Sequence, residues 1–158
     1  KGIEQKNIKD TLEKIKNNNI DIIKLQNSME ILNKVGSVLT FTGLVRETSI
    51  KSDKKVIGIE IETWEDKADE IMRKIANKIG NNNNLHGIRI VHLKGKMVVG
   101  DPIVFIIIYS EHRKEGFIAM EEAIYEYKNN SPVWKKEIYD DFTSQWITTK
   151  QELKEAFD

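Results

Sequence analysis

Cysteine is absent from all 158 residues. That excludes disulfides, thiolate metal sites and a thiol nucleophile, and the chain cannot carry a persulfide of its own. Histidine is scarce: the three present are scattered, so neither a structural zinc site nor any other metal site is expected. Charge of one sign is not in excess. Lys+Arg and Asp+Glu are 25 each, for a formal net charge of zero, whereas a non-specific nucleic-acid binder would carry a basic surplus. No apolar run approaches the length of a membrane span. The most apolar stretch, Val98 to Tyr109, is interrupted by Gly100, Asp101 and Pro102 and reads as a hairpin ending in a buried strand. Lys1 to Lys16 is polar and charged, unlike a signal peptide, and a cytoplasmic location is expected. The chain starts at Lys1 rather than Met, which leads to the expectation that it is processed or cut from a longer protein.

What is present suits one globular domain: 39% hydrophobic and 32% charged residues in a length sufficient for a core. Ile8, Leu12 and Ile15 predict an amphipathic helix over 7–17, so residues 1–18 are read as a helical extension and 19–158 as the main domain. Ile20 to Leu25 reads as a short strand and 27–34 as a short helix. The asparagine-rich stretches, including Asn81 to Asn84, read as loops. Strands are predicted at Gly36–Arg46, Val56–Trp64 and His86–Leu93. The Val56 strand buries one face, with Ile57, Ile59 and Ile61 on one side. After a turn at Lys94–Lys96, Met97–Val99 is expected to pair back and Ile103–Tyr109 to follow as a buried strand. Helices are predicted at Asp66–Ile79 and Arg113–Lys128, the second with Phe117, Met120, Ala123, Ile124 and Tyr127 as its apolar stripe. Pro132 follows the break, Val133–Tyr139 is extended, and Gln145–Thr148 precedes a C-terminal helix. Glu47–Lys55 is a polar, lysine-rich loop expected to be mobile. Trp64, Trp134 and Trp146 are expected to pack. The order implies an α+β fold: a largely antiparallel sheet with two long helices on one side.

Three basic clusters stand out. Arginine, with its two-pronged reach for phosphate and carboxylate oxygens, occurs at only four positions: Arg46, Arg73, Arg89 and Arg113. The first cluster is Phe41-Thr42-Gly43-Leu44-Val45-Arg46, at the end of a buried strand. The second is Ser110-Glu111-His112-Arg113, where a strand enters a helix and unpaired backbone N–H groups attract anions. Arg113 could equally pair with Glu111 or Glu115 at the surface. The third joins Lys128, at a helix end where a cation suits the dipole, to Lys135-Lys136-Glu137. Either these lysines are solvated, or Lys128 and Lys135 share one anionic pocket and lower each other's proton affinity. Spacing alone leaves both readings open. Glu60 and Glu62 form a solvated strand face on the simplest reading, and His92 a satisfied strand histidine.

In combination these stretches resemble one family, the large subunit of molybdopterin synthase. The resemblance runs in order from Gly36 through Arg46, Ile59-Glu60-Ile61-Glu62-Thr63-Trp64, His92 with Gly95, and Val99-Gly100-Asp101. It continues through Ser110-Glu111-His112-Arg113 with Phe117 to Lys128, Pro132, Trp134-Lys135-Lys136-Glu137 and Trp146. It implies an α/β hammerhead-type fold with a small extra β subdomain. It implies a homodimer that carries a ubiquitin-like sulfur-carrier small subunit on each copy, a heterotetramer in all. The carrier's C-terminal Gly-Gly thiocarboxylate would donate sulfur twice to cyclic pyranopterin monophosphate, forming the dithiolene of molybdopterin without a cofactor. Matched by position, Lys128 resembles the principal catalytic lysine and Lys135 the second. Leu44, Val45, Arg46, His112, Arg113, Lys136 and Glu137 resemble substrate contacts, and Phe41 shapes the pocket. Leu93 stands where many relatives have arginine, and the loop after Arg46 lacks the family's usual glycine. The rival readings are a non-catalytic homologue that only binds the carrier or scaffolds an assembly, and a phosphate- or RNA-binding module.

Overall fold

The computed structural model describes residues 22–29 and 32–147. The expected N-terminal helix over 7–17 and the expected C-terminal helix lie outside the described residues. In chain order the elements are α1 (Ile22–Asn27), a 3-10 turn (Leu32–Lys34), β1 (Ser37–Leu44), β2 (Val56–Thr63), α2 (Glu65–Asn82), β3 (Gly87–His92), β4 (Gly95–Val98), β5 (Pro102–Ser110), α3 (Arg113–Asn130), β6 (Val133–Tyr139) and β7 (Ser144–Ile147). They form two antiparallel sheets, one ordered β1-β5-β3 and the other β4-β2-β6-β7. The α+β antiparallel expectation holds. The additional β element is a full four-stranded sheet rather than a small appendage.

β5 is the axis of the first sheet. Its run from Val104 to Ser110 is buried throughout, which a strand needs when both faces are covered. One face lies under α3, and α2 packs alongside against β3 and α3. The other face is covered by the chain's N-terminal described segment, where Leu25, Met29 and Val35 pack on Ile107 and Tyr109. This packing explains why residues 22–25, the described part of the strand expected over Ile20 to Leu25, are helical instead. Leu25 and Met29, four residues apart, turn toward the same patch, and the Tyr109 hydroxyl donates to the carbonyl of Gln26 at 2.8 Å, near the end of α1. Of the helix expected over 27–34, the described residues hold the last residue of α1 at Asn27 and the 3-10 turn Leu32–Lys34.

Further departures have local causes. β4 does not pair back on β3 but crosses to β2, with Gly58 opposite Val98 and Glu60 opposite Lys96. Gly58 permits this: a Cβ there would lie 2.7 Å from the Met97 carbonyl oxygen. In β2 the register shifts between Val56 and Gly58, so Ile57 is the extra residue of a bulge. It turns outward while Val56, Ile59 and Ile61 turn inward. α2 runs on to Asn82 because Glu122 of α3 accepts from the side chains of both Asn82 and Asn83, and the Lys78–Glu126 ion pair at 2.7 Å adds a second tie. α3 presents Gly116, Ala119, Ala123 and Tyr127 to the core, leaving Phe117 62% exposed. Small residues bring the helix close to the sheet: a Cβ on Gly116 would meet Ser110 Oγ at 2.9 Å. The three tryptophans are not packed but half-exposed. Lys136 lies 5.1 Å over the Trp146 ring on the outer face of the second sheet.

Candidate active site

A cavity of about 490 Å³ opens where the two sheets meet the C-terminal end of α3, a volume suited to a small ligand. Period-two alternation selects its walls. From β2 come Ile59 and Ile61, and from β6 come Val133, Lys135 and Glu137, all on one face, with Ile147 of β7 opposite Lys135. The intervening Lys136 points the other way, its Nζ 2.8 Å from Glu60 Oε2. β1 supplies Phe41 to Leu44, followed by Val45 and Arg46. The β1–β5 register shifts between Gly43 and Leu44, and Val45 is then held by backbone bonds to Asp101 (2.9 Å) and Gly100 (2.8 Å), which fix where Arg46 begins. The last turn of α3 adds Tyr127 and Lys128.

The structure therefore gathers Phe41, Leu44, Val45, Arg46, Lys128, Lys135 and Glu137 around one space. Neither Arg46 nor Lys128 has a carboxylate partner among the described residues. Three cations thus face one carboxylate, and one oxygen of that carboxylate, Oε2, is engaged. Glu137 is buried and accepts from Ser49 Oγ at 2.5 Å and from the Tyr139 hydroxyl at 3.1 Å. Burial pushes the Tyr139 phenol up, as a donor beside a carboxylate requires. The cavity thus combines three cationic side chains with an apolar floor, a lining that suits an anionic ligand.

The Ser49 contact also revises the picture of the 47–55 loop. It is anchored by Ser49, by the backbone bond from Val56 N–H to the Glu47 carbonyl (2.9 Å), and by Lys54, which pairs with Asp141 at 2.5 Å and donates to Thr143 at 3.0 Å. The Lys54 and Thr143 contacts hold the Asp141 carboxyl down to about 2. The loop's Ile50 forms part of the cavity wall. Nothing in a polar loop sequence marks Ser49 as the partner of Glu137. His92 also lines the cavity, where the residue pattern shows only a strand histidine.

His112 and Arg113 are elsewhere. His112 caps the N-terminus of α3, its side chain 73% exposed, and Arg113 is exposed and has no acidic partner among the described residues. At 1.5 Å per residue, about 24 Å of helix separates His112 from Lys128. Among the described residues, no cluster of His, Asp and Glu could hold a metal ion.

The family model described as MoaE protein matches residues 15–130. The chain belongs to the MoaE family. The molybdopterin synthase catalytic subunit of Bacillus subtilis (strain 168) is 34% identical over 126 residues, 77% of this chain and 78% of that one. The crystal structure of molybdopterin synthase from Staphylococcus aureus superposes with a TM-score of 0.73 at 32% identity, covering 81% of this chain and 90% of the other. The fold is shared at 18% identity, with a TM-score of 0.58, by a chain from the protein–protein complex of subunits 1 and 2 of the molybdopterin-converting factor of Helicobacter pylori 26695. It covers 94% of this chain and 88% of that one. This MoaE-family chain thus carries the cavity, Arg46 and both lysines of the resemblance. No helix among its described residues is long and apolar enough to cross a membrane.

Proposed function

We propose that this chain is the sulfur-transferring subunit of a molybdopterin synthase, acting on cyclic pyranopterin monophosphate with sulfur delivered by a thiocarboxylated carrier. The observation that carries the reading is the convergence of Arg46, Lys128 and Lys135 from three separate elements on one apolar-floored cavity. Both reactants are anions, a phosphate ester and a thiocarboxylate. Each transfer returns the carrier as a carboxylate: once the sulfur is bonded to the pterin, water adds to the carrier's carbonyl carbon, negative charge gathers on the carbonyl oxygen, and the C–S bond breaks to leave the sulfur on the pterin. Lys135, on rigid strand β6, is placed to stabilise that charge. Lys128, at the helix end, serves as the acid–base group or as a transient nucleophile at the carbonyl. The absence of cysteine fits a sulfur that arrives on another chain. The partner is a small ubiquitin-like carrier whose Gly-Gly tail threads into the cavity, and the reading places the reaction in the cytoplasm.

His112 and Arg113 cannot reach the cavity of their own chain along a straight helix. We place them in the cavity of a second copy: a homodimer in which each site takes Arg46, Lys128, Lys135 and Glu137 from one chain and the phosphate-binding His112-Arg113 pair from the other. The experiment for the reaction is a single-turnover assay with thiocarboxylated carrier and cyclic pyranopterin monophosphate, product being read as its fluorescent oxidation derivative. Lys128→Ala is expected to lower the rate by about 10²- to 10³-fold, the size associated with losing one transition-state contact. Unchanged turnover in a folded Lys128→Ala variant would remove the catalytic assignment and favour the scaffold reading.

A further inference from the structure

His92 ends β3 with 3% of its surface exposed, and its ring forms part of the cavity wall. Its Nδ1 lies 2.8 Å from the Leu93 carbonyl oxygen. A carbonyl can only accept, so Nδ1 carries the ring proton. Burial holds the imidazole down to about 4, which keeps it neutral at physiological pH. Nε2 therefore bears a lone pair. It has no hydrogen-bond partner among the described residues, yet it is not one of the fully enclosed polar atoms of the structure. The Tyr127 ring meets the imidazole edge-on at 5.7 Å and limits its rotation.

The basic side chains of the cavity, Arg46, Lys128 and Lys135, donate only. Of the Glu137 carboxylate, Oε2 is taken by Ser49 and Tyr139. The three cations suit a phosphate and a thiocarboxylate, but they offer nothing to the ring N–H groups of a pterin, which need an acceptor when desolvated, and His92 Nε2 supplies one at the cavity wall. We infer that His92 Nε2 accepts a hydrogen bond from a ring N–H of the heterocyclic substrate and thereby orients the ring between Lys128 and Lys135. The inference rests on the pterin-substrate reading above and adds to it a specificity-determining contact.

The test is calorimetric titration of the full chain with cyclic pyranopterin monophosphate, run on wild type, His92→Leu and His92→Gln. The Leu variant keeps bulk and loses the acceptor; the Gln amide oxygen restores one near the position of Nε2. Expected are binding about tenfold weaker for His92→Leu, and for His92→Gln within a few-fold of wild type. In parallel, nitrogen-15 spectra of wild type, simplified by there being only three histidines, should show the unprotonated Nε2 signal of His92 moving on addition of substrate. A merely structural role would not move that signal. Unchanged affinity in His92→Leu overturns the inference, as does equal weakening in both variants with an unmoved Nε2 signal. If His92→Leu does not fold, the Nε2 signal together with His92→Gln decides. A wild-type chain that binds no pterin phosphate overturns the substrate reading itself, a result distinct from the others.

Discussion

Mixing two differently disabled chains measures whether each site is built from two copies. One chain carries Lys128→Ala, the other His112→Ala with Arg113→Ala. Taken alone, the first loses about 10²- to 10³-fold in rate. The second loses a charge-assisted phosphate contact of about 1.5–3 kcal/mol, roughly 10- to 150-fold. The geometry then sets the result of mixing. About 24 Å of α3 keeps His112 away from Lys128 of its own chain, and the proposed shared site requires a two-fold dimer that pairs the helix start of one copy with the helix end of the other. Random association makes about half the dimers mixed. In a mixed dimer one site combines all the damage and the other combines intact Lys128 with intact His112 and Arg113. About a quarter of all sites are therefore whole, and the co-expressed, doubly tagged mixture should recover about 25% of wild-type turnover. Native mass spectrometry verifies that mixed dimers are present. Activity at the average of the two parents, with mixed dimers demonstrated, would refute the shared site.

Gly58→Ala should lower thermal stability by several degrees, since its Cβ would lie 2.7 Å from the Met97 carbonyl oxygen and force β2 from β4; an unshifted melting curve would contradict that close approach. Glu137→Ala leaves Ser49 without its acceptor and the Tyr139 hydroxyl with only the 3.4 Å contact to Gln145 Oε1, a loss of about 1–3 kcal/mol. Amide exchange in residues 47–55 should accelerate and substrate KM rise as the Ile50 wall loosens, and unchanged exchange would count against the anchor. His92 makes stability depend on pH. Its pKa is about 6.5 unfolded and about 4 folded, so the unfolded chain takes the proton first. The contribution is fully present above pH 6.5 and declines as the pH falls toward 4. The total is about 3 kcal/mol, the free energy that separates those two pKa values. Denaturant titrations from pH 7 to 4 should show this loss in wild type and not in His92→Gln.

Periodicity carried most of the fold. β1, β2, β3, β5 and both long helices lie where the apolar pattern puts them, β3 and the body of β5 as runs buried throughout and β2 with one face turned inward. It misled where the deciding partner is distant in sequence. Met97 pairs with β2 rather than β3 because Gly58, far back in the chain, allows close approach. Phe117 sits at helical spacing yet faces out, because packing at short distance selects Gly116 and Ala119 over a ring. At the site, Lys135 and Lys136 are adjacent in sequence and opposite in space, and only the pleat of β6 tells which one faces the cavity. The inward turn of Ser49 and His92 leaves no trace in residue order, since each depends on an element brought up from elsewhere. Residue type suggests packed tryptophans, but it does not encode the half-exposed places they take: Trp134 and Trp146 on strands β6 and β7, and Trp64 at the start of α2.

The two sheets are threaded rather than stacked. From β1 through β6 the chain changes sheet at every connection, and only β6 and β7 are consecutive partners. No single cut separates the strands of one sheet from those of the other. The cavity, lying along the seam, exists only once the threading is complete. Unfolding that parts the two sheets therefore dissolves the cavity, since its walls come from both, and a destabilising change far from the lysines would cost molecules with an intact cavity rather than reshape it.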